Sequence, residues 1–158
     1  MHRFFSPQYG LAMAAMLAVS ASGPSAENAA IQWHSDPAKA HQLARQQNRP
    51  LLLLVTMDGC FYCTKMKQST YQDAVVASEV ADRFVAARID AKGHRALVEK
   101  LGVEVYPTTV IVSPDYRVLD VIRGYVDSSR LRQRMTAATR HDRITKSDVE
   151  TRQNVSRN

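Results

Sequence analysis

The sequence predicts a single α/β domain built on a mixed central sheet, a βαβ unit continued by an antiparallel β-hairpin, with helices on its faces. Three observations predict it. The run LLLLVTM (51–57) is continuously apolar over the length of one strand, the pattern of a strand buried on both faces beneath covering helices. Helical and strand-like segments alternate from residue 35 to residue 102, the rhythm of βαβ construction. The segments 108–113 and 117–124 are separated only by the turn residues PDY, and so short a link forces the second strand back antiparallel to the first. The chain has 158 residues, 45% of them apolar and 23% charged, enough for one core and too few for two.

Residues 1–26 stand apart from that domain. Arg3 and no acid precede the apolar run LAMAAMLAVSA (11–21), and the small, polar SGPSA comes after it. This is the composition of a secretory signal peptide, with cleavage expected between Ala21 and Glu27. The apolar run is shorter than the roughly 20 residues a membrane span requires, so no stable span is expected after cleavage. Export to the periplasm, or out of the cell by another route, is therefore expected. The net charge is +6, and loss of residues 1–26 leaves +5. Arg130, Arg132, Arg134, Arg140 and Arg143 cluster late in the chain, but without interleaved aromatic residues they read as a solvated basic face rather than a nucleic-acid site.

The elements are taken in chain order. Ser35 or Asp36 caps a first helix, Pro37 suits its first turn, and Ala40, Leu43 and Ala44 recur at helical spacing. Asn48 and Pro50 end it. After the apolar strand, Asp58-Gly59 makes a turn, and a helical pattern runs from Cys60 to Ser69. SEVADRF is a further helical piece, FVAARID (84–90) a second strand, and HRALVEKLG (94–102) a helix closed by Gly102 in the left-handed conformation. TTVIVS (108–113) and RVLDVIRG (117–124) form the hairpin. DSSRLRQRMTAA is the last helix, capped by Asp127. The period then fades, and residues 140–158 read as a polar, disordered C-terminal tail. The domain proper is expected over residues 27–139.

The two cysteines of the chain, Cys60 and Cys63, lie in MDGCFYCTKM. A disulfide closing so small a loop removes little chain entropy and is a poor structural staple. A haem anchor needs His directly after the second cysteine, where Thr64 stands. A structural zinc site needs four ligands, and His34, His41, His94 and His141 are scattered. Redox chemistry fits the placement better. Cys60 falls where a buried strand gives way to a helix, so free amides and the helix dipole favour its thiolate. Cys63 is a turn further in and more buried. That arrangement provides an exposed nucleophile with a resolving thiol behind it. Phe61 and Tyr62 are either an exposed aromatic face that grips a partner or half-packed helix residues, and Asp58 either helps cap the helix or opposes the thiolate charge.

Pro107, in VYPTT, opens a strand, the position a proline can hold without breaking the ladder. It reads either as a plain strand-start proline or as a cis Tyr106-Pro107 bond. Taken together, RPLLLLVTMDGCFYCTKMK, FVAARID and LGVEVYPTTVIVSPDYRVLDVIRGY resemble the thioredoxin superfamily over residues 31–138. They are most similar to exported thioredoxin-like proteins such as the C-terminal domain of the periplasmic transmembrane thiol reductase. The resemblance implies a thioredoxin-like fold, Cys60 as nucleophile, Cys63 as resolving thiol and a cis Pro107 beside the disulfide. It further implies that the Tyr106 backbone pairs with an extended substrate and that Gly124-Tyr125 walls the same groove. Four positions depart from thioredoxin itself. Gly59 replaces the Trp before the first cysteine, Phe61-Tyr62 replaces Gly-Pro, and Leu54 replaces a buried Asp. The histidine that strong oxidants of the superfamily tend to carry between the cysteines is also missing.

The expected function is thiol–disulfide exchange with protein thiols and disulfides, of the reductase or isomerase type. It needs an electron donor or acceptor but no bound cofactor and no metal, since the redox centre is the Cys60–Cys63 pair. The alternative is a non-catalytic thioredoxin-like module that holds a peptide or a copper ion in the same groove.

Overall fold

The computed structural model describes residues 30–155. Strand β1 is Trp33–His34, a two-residue edge that the sequence pattern does not announce. Asp36 caps helix α1, Pro37–Gln46, accepting from the amides of Ala38 and Lys39 at 3.0 and 3.1 Å. Pro37 takes the first helical position, where a missing N–H costs nothing. Then come β2, Leu51–Thr56; α2, Phe61–Gln68; α3, Ala74–Arg83; β3, Val85–Asp90; and α4, Arg95–Lys100. The hairpin strands β4, Thr108–Val112, and β5, Val118–Arg123, are followed by α5, Ser128–Val155. Short 3-10 turns occur at Thr70–Gln72 and Lys92–His94.

The five strands form one sheet in the order β1-β3-β2-β4-β5. β3 runs parallel to β1 and β2, whereas β4 is antiparallel to β2 and β5 to β4. This is the mixed sheet expected, with the βαβ unit on one side of β2 and the hairpin on the other. Every residue of β2 is buried. Leu51, Leu53 and Val55 face one core with Ala40 and Ala44 of α1 and Val98 of α4. Leu52 and Leu54 face the other with Met66 of α2, Val76 and Val80 of α3, and Leu131 and Met135 of α5.

Polar contacts hold both ends of β2 in register. At its start, Arg49 donates through one guanidinium nitrogen to the carbonyls of Ala81 and Phe84, at 2.5 and 2.6 Å, and the Val85 amide donates to Pro50. At its end, the Thr56 hydroxyl donates to the Ile89 carbonyl at 3.1 Å, and the Ala91 amide donates to Thr56. Inside the second core, the hydroxyl groups of Tyr71 and Thr109 lie 2.8 Å apart and share a hydrogen bond. Burial pushes the Tyr71 hydroxyl well above its ordinary titration range, and the hydrogen bond offsets part of that shift. Trp33 meets the Tyr71 ring edge-on, centroids 5.0 Å apart.

One expectation is corrected. Residues from 140 onward, read as a disordered tail, continue α5 to Val155. The reason is electrostatic rather than apolar. Asp142 is almost buried, and its carboxylate meets Arg117 at 2.5 Å and Lys146 at 3.4 Å. Arg117 also donates to the Thr145 hydroxyl at 3.2 Å, and Lys146 reaches Asp115 at 3.9 Å. The β4–β5 turn, which carries Asp115 and Arg117, is thereby latched to the extended helix. The basic face of α5 is likewise partly engaged. Arg134 forks onto Asp120, and Arg132 pairs with Glu79 at 2.7 Å. The expected signal segment 1–26 lies outside the described residues.

The latch generates a prediction. Truncation after Thr139 lowers the melting temperature by several degrees in thermal circular dichroism. Asp142→Ala alone costs about 1 kcal/mol, because its partners are half exposed and solvent-screened; that corresponds to about 3–5 °C for a domain of this size. An unchanged melting temperature for both variants refutes the latch.

Candidate active site

The site stands at the end of the sheet where β2 finishes and β4 begins. Thr108 pairs with Val55 across the two strands, which brings Pro107 level with the exit of β2. That exit is Met57, Asp58 and Gly59, all exposed, and Cys60 comes next as the N-cap of α2. Cys60 and Cys63 are joined in a disulfide. The Cys63 amide donates to Cys60 Sγ at 3.1 Å, so the sulfur occupies the place where a capping oxygen usually satisfies a free helix amide. Cys60 is half-buried, whereas Cys63 is 2% exposed. The two residues therefore differ in exposure.

Two connections link the other residues singled out in the sequence to α2 and to one another. Tyr62 faces Tyr125 with ring centroids 6.1 Å apart, tying α2 to the segment after β5. The Gly124 amide donates to the Pro107 carbonyl at 2.8 Å, tying that segment to the strand start. The Tyr106-Pro107 bond is cis. Pro107 is buried and Tyr106 half-buried. Phe61 is 73% exposed and Tyr62 54% exposed, and their rings meet edge-on at 5.4 Å. On the opposite flank, Met57 and Tyr106 line a common open groove of about 520 Å³ with Lys92, Arg95, Glu99 and Glu104.

Asp58 does not cap α2. Its carboxylate pairs with Lys92 at 3.3 Å, and both side chains are well exposed. Leu54, the position at which thioredoxin carries an acid, is fully buried beside Thr109, so no carboxylate stands at that place. Sequence reasoning missed Lys65, whose ammonium lies 4.6 Å from the centre of the Tyr125 ring. The signal for it is weak: a lysine one turn past Tyr62 on the same helical face, meeting a tyrosine that only the fold brings near. Among the described residues no group of three or more His, Cys, Asp or Glu side chains is arranged to hold a metal ion. Among them, too, no helix is long and apolar enough to cross a membrane.

Gly59 explains one departure from the thioredoxin pattern. Its φ is +71°, a left-handed conformation that strains any residue with a Cβ. A Cβ there meets no atom within 4 Å, so the obstacle is conformational rather than steric. Gly59→Ala is expected to cost about 1 kcal/mol, and Gly59→Asn less, as read by denaturant unfolding. Equal stability of all three proteins contradicts this account.

Solved structures share this architecture. The DsbH oxidoreductase matches with a TM-score of 0.61 at 17% identity, covering 83% of this chain and 95% of that one. A putative disulphide-isomerase from Bacteroides thetaiotaomicron gives 0.62 at 21% identity, covering 70% and 93%. The oxidised C-terminal domain of DsbD from Neisseria meningitidis gives 0.54 at 19% identity, covering 63% and 93%. At these identities the likeness is one of fold. Among curated sequences, an uncharacterized protein of Caenorhabditis elegans is 29% identical over 97 residues, which is 56% of this chain and 13% of that protein. Human spermatogenesis-associated protein 20 is 25% identical over 71 residues, 45% of this chain and 9% of that protein. This chain thus spans only a small part of either relative. The family model of the thioredoxin-like domain matches residues 37–139, from the first turn of α1 well into α5, and the chain belongs to the thioredoxin-like family.

Proposed function

We propose that this chain is an exported thiol–disulfide oxidoreductase that exchanges disulfides with protein partners through Cys60 and Cys63. The observation that carries the reading is the disulfide at the start of α2, with Cys60 accessible and Cys63 buried behind it. In the reduced form, the Cys60 thiolate attacks a partner disulfide. A Cys60–partner S–S bond forms, the partner's own S–S bond breaks, and the departing partner thiolate takes up a proton. Cys63 then loses its proton and attacks Cys60 Sγ. The Cys60–Cys63 bond closes, the second partner thiolate leaves, and two electrons have passed to the partner. A dithiol donor restores the reduced form by the same exchange in reverse.

The reductase or isomerase direction rests on the resemblance, because Phe61-Tyr62 stands where strong oxidants carry histidine. Export rests on residues 1–26. The groove assignment rests on the convergence of Tyr62, Tyr106, Pro107, Gly124 and Tyr125 described above.

Two measurements test the reading. Cys63→Ser, expressed with its leader, is expected to accumulate mixed disulfides in the envelope fraction on non-reducing gels, whereas Cys60→Ser is not, since the buried thiol reaches few partners. Equal trapping by both variants refutes the assigned roles, and trapping by neither favours a non-catalytic binding module. A reduction potential near about −270 mV is expected for a reductase; one near about −120 mV refutes that direction.

A further inference from the structure

We infer that the face formed by Phe61, Tyr62, Lys65 and Tyr125 is a docking surface for an acidic segment of a partner protein, one with a carboxylate beside the cysteine that exchanges with Cys60. The inference rests on the exchange reading above and specifies the partner's chemistry. Phe61 and Tyr62 are a contiguous pair of exposed rings, the kind of apolar surface that marks a contact site when it adjoins a reactive group. Lys65 extends that surface with a charge. Its ammonium rests over the Tyr125 ring, which holds it in place without neutralising it. Among the described residues no carboxylate forms an ion pair with Lys65.

The neighbouring acids are committed elsewhere. Asp58 is held by Lys92, and Asp127 accepts from the Arg130 amide at 2.8 Å. On the far side of Gly124, Arg123 is exposed, opposite Thr108 at the head of β4, and among the described residues it too lacks an ion-pair partner. Lys65 and Arg123 therefore present uncompensated positive charge on either side of Gly124-Tyr125. The groove on the opposite flank differs, since its lining carries both signs of charge, Lys92 and Arg95 with Glu99 and Glu104. The α2–Tyr125 side instead offers exposed rings beside unpaired positive charge, and an acidic segment lying over the rings matches both its apolar and its ionic character.

The test uses two synthetic peptides of identical sequence, each closed by one disulfide, with Asp or with Lys on either side of the cysteine. Docking is read as the dissociation constant for the Cys60→Ser/Cys63→Ser double variant, which binds without exchanging. The Asp peptide is expected to bind at least about threefold more tightly, the scale of an exposed ion pair, and the advantage should shrink in about 0.5 M salt. Lys65→Glu should reverse the preference. Arg140→Glu, an equal change of net charge on an exposed position of α5, should preserve it. Equal affinity for the two peptides, or equal loss in Lys65→Glu and Arg140→Glu, overturns the inference. If the preference holds but the wild-type protein reduces neither peptide, the docking surface stands and the oxidoreductase reading falls.

Discussion

The structure depends on a strand buried along its whole length. β2 is flanked by β3 and β4, with a helix layer on each face, so its side chains feed two cores at once. Four successive leucines make it easy to bury but poor at specifying register. A slip of one residue exchanges the two faces of any strand, and here it exchanges leucine for leucine. Apolar patterning therefore cannot set where the residues beyond β2 are placed. The polar contacts at the two ends can. Arg49 grips the carbonyls of Ala81 and Phe84 where β2 starts, and the Thr56 hydroxyl bonds Ile89 where it finishes. A slipped strand breaks both, leaving buried hydrogen-bonding groups unpaired at about 1–3 kcal/mol each. The cysteine pair begins four residues after Thr56, so its placement depends on this register.

Much of the fold is legible in the sequence because its signals are local. Asp36-Pro37 announces α1 through capping chemistry, and Gly102 closes the α4 segment with φ +61°. The turn between 113 and 117 is too short for anything but a hairpin. The features that escape a sequence reading depend on distant partners. Trp33–His34 is a strand only because β3 offers an open edge, with Trp33 in register with Ala86. The later turns of α5 carry no apolar stripe. Their hold on the domain comes from Asp142 meeting Arg117, a residue 25 positions earlier on the hairpin turn. A search for hydrophobic period is blind to such a contact, and an ion-pair partner that far away cannot be read from spacing.

The candidate site divides along the same line. Cys60 at the mouth of α2 and Pro107 at the head of β4 can be placed from strand and helix boundaries. The roles of Asp58 and Lys65 cannot. For Asp58 the sequence leaves capping and charge repulsion equally open, and the fold gives it to Lys92, 34 residues away. Lys65 acquires its position from Tyr125, which arrives on a different element. Gly59 belongs to both classes. A turn before Cys60 is evident from Asp58-Gly59, but the left-handed backbone that disfavours other residues is visible only in the structure.

One atom at the centre of the site has two tasks. Cys60 Sγ is half of the disulfide and also the acceptor that caps α2 through the Cys63 amide. Helix start and covalent bond therefore form two sides of a thermodynamic square. Any free energy by which the cap strengthens or weakens when the disulfide opens must reappear, equal in size, as a change in how readily the disulfide forms. A thiolate at that place accepts the amide hydrogen bond more strongly than a disulfide sulfur does and also gains from the helix dipole. The first turn of α2 is thus a thermodynamic weight on the open state of the pair, set by backbone groups that no side-chain substitution removes.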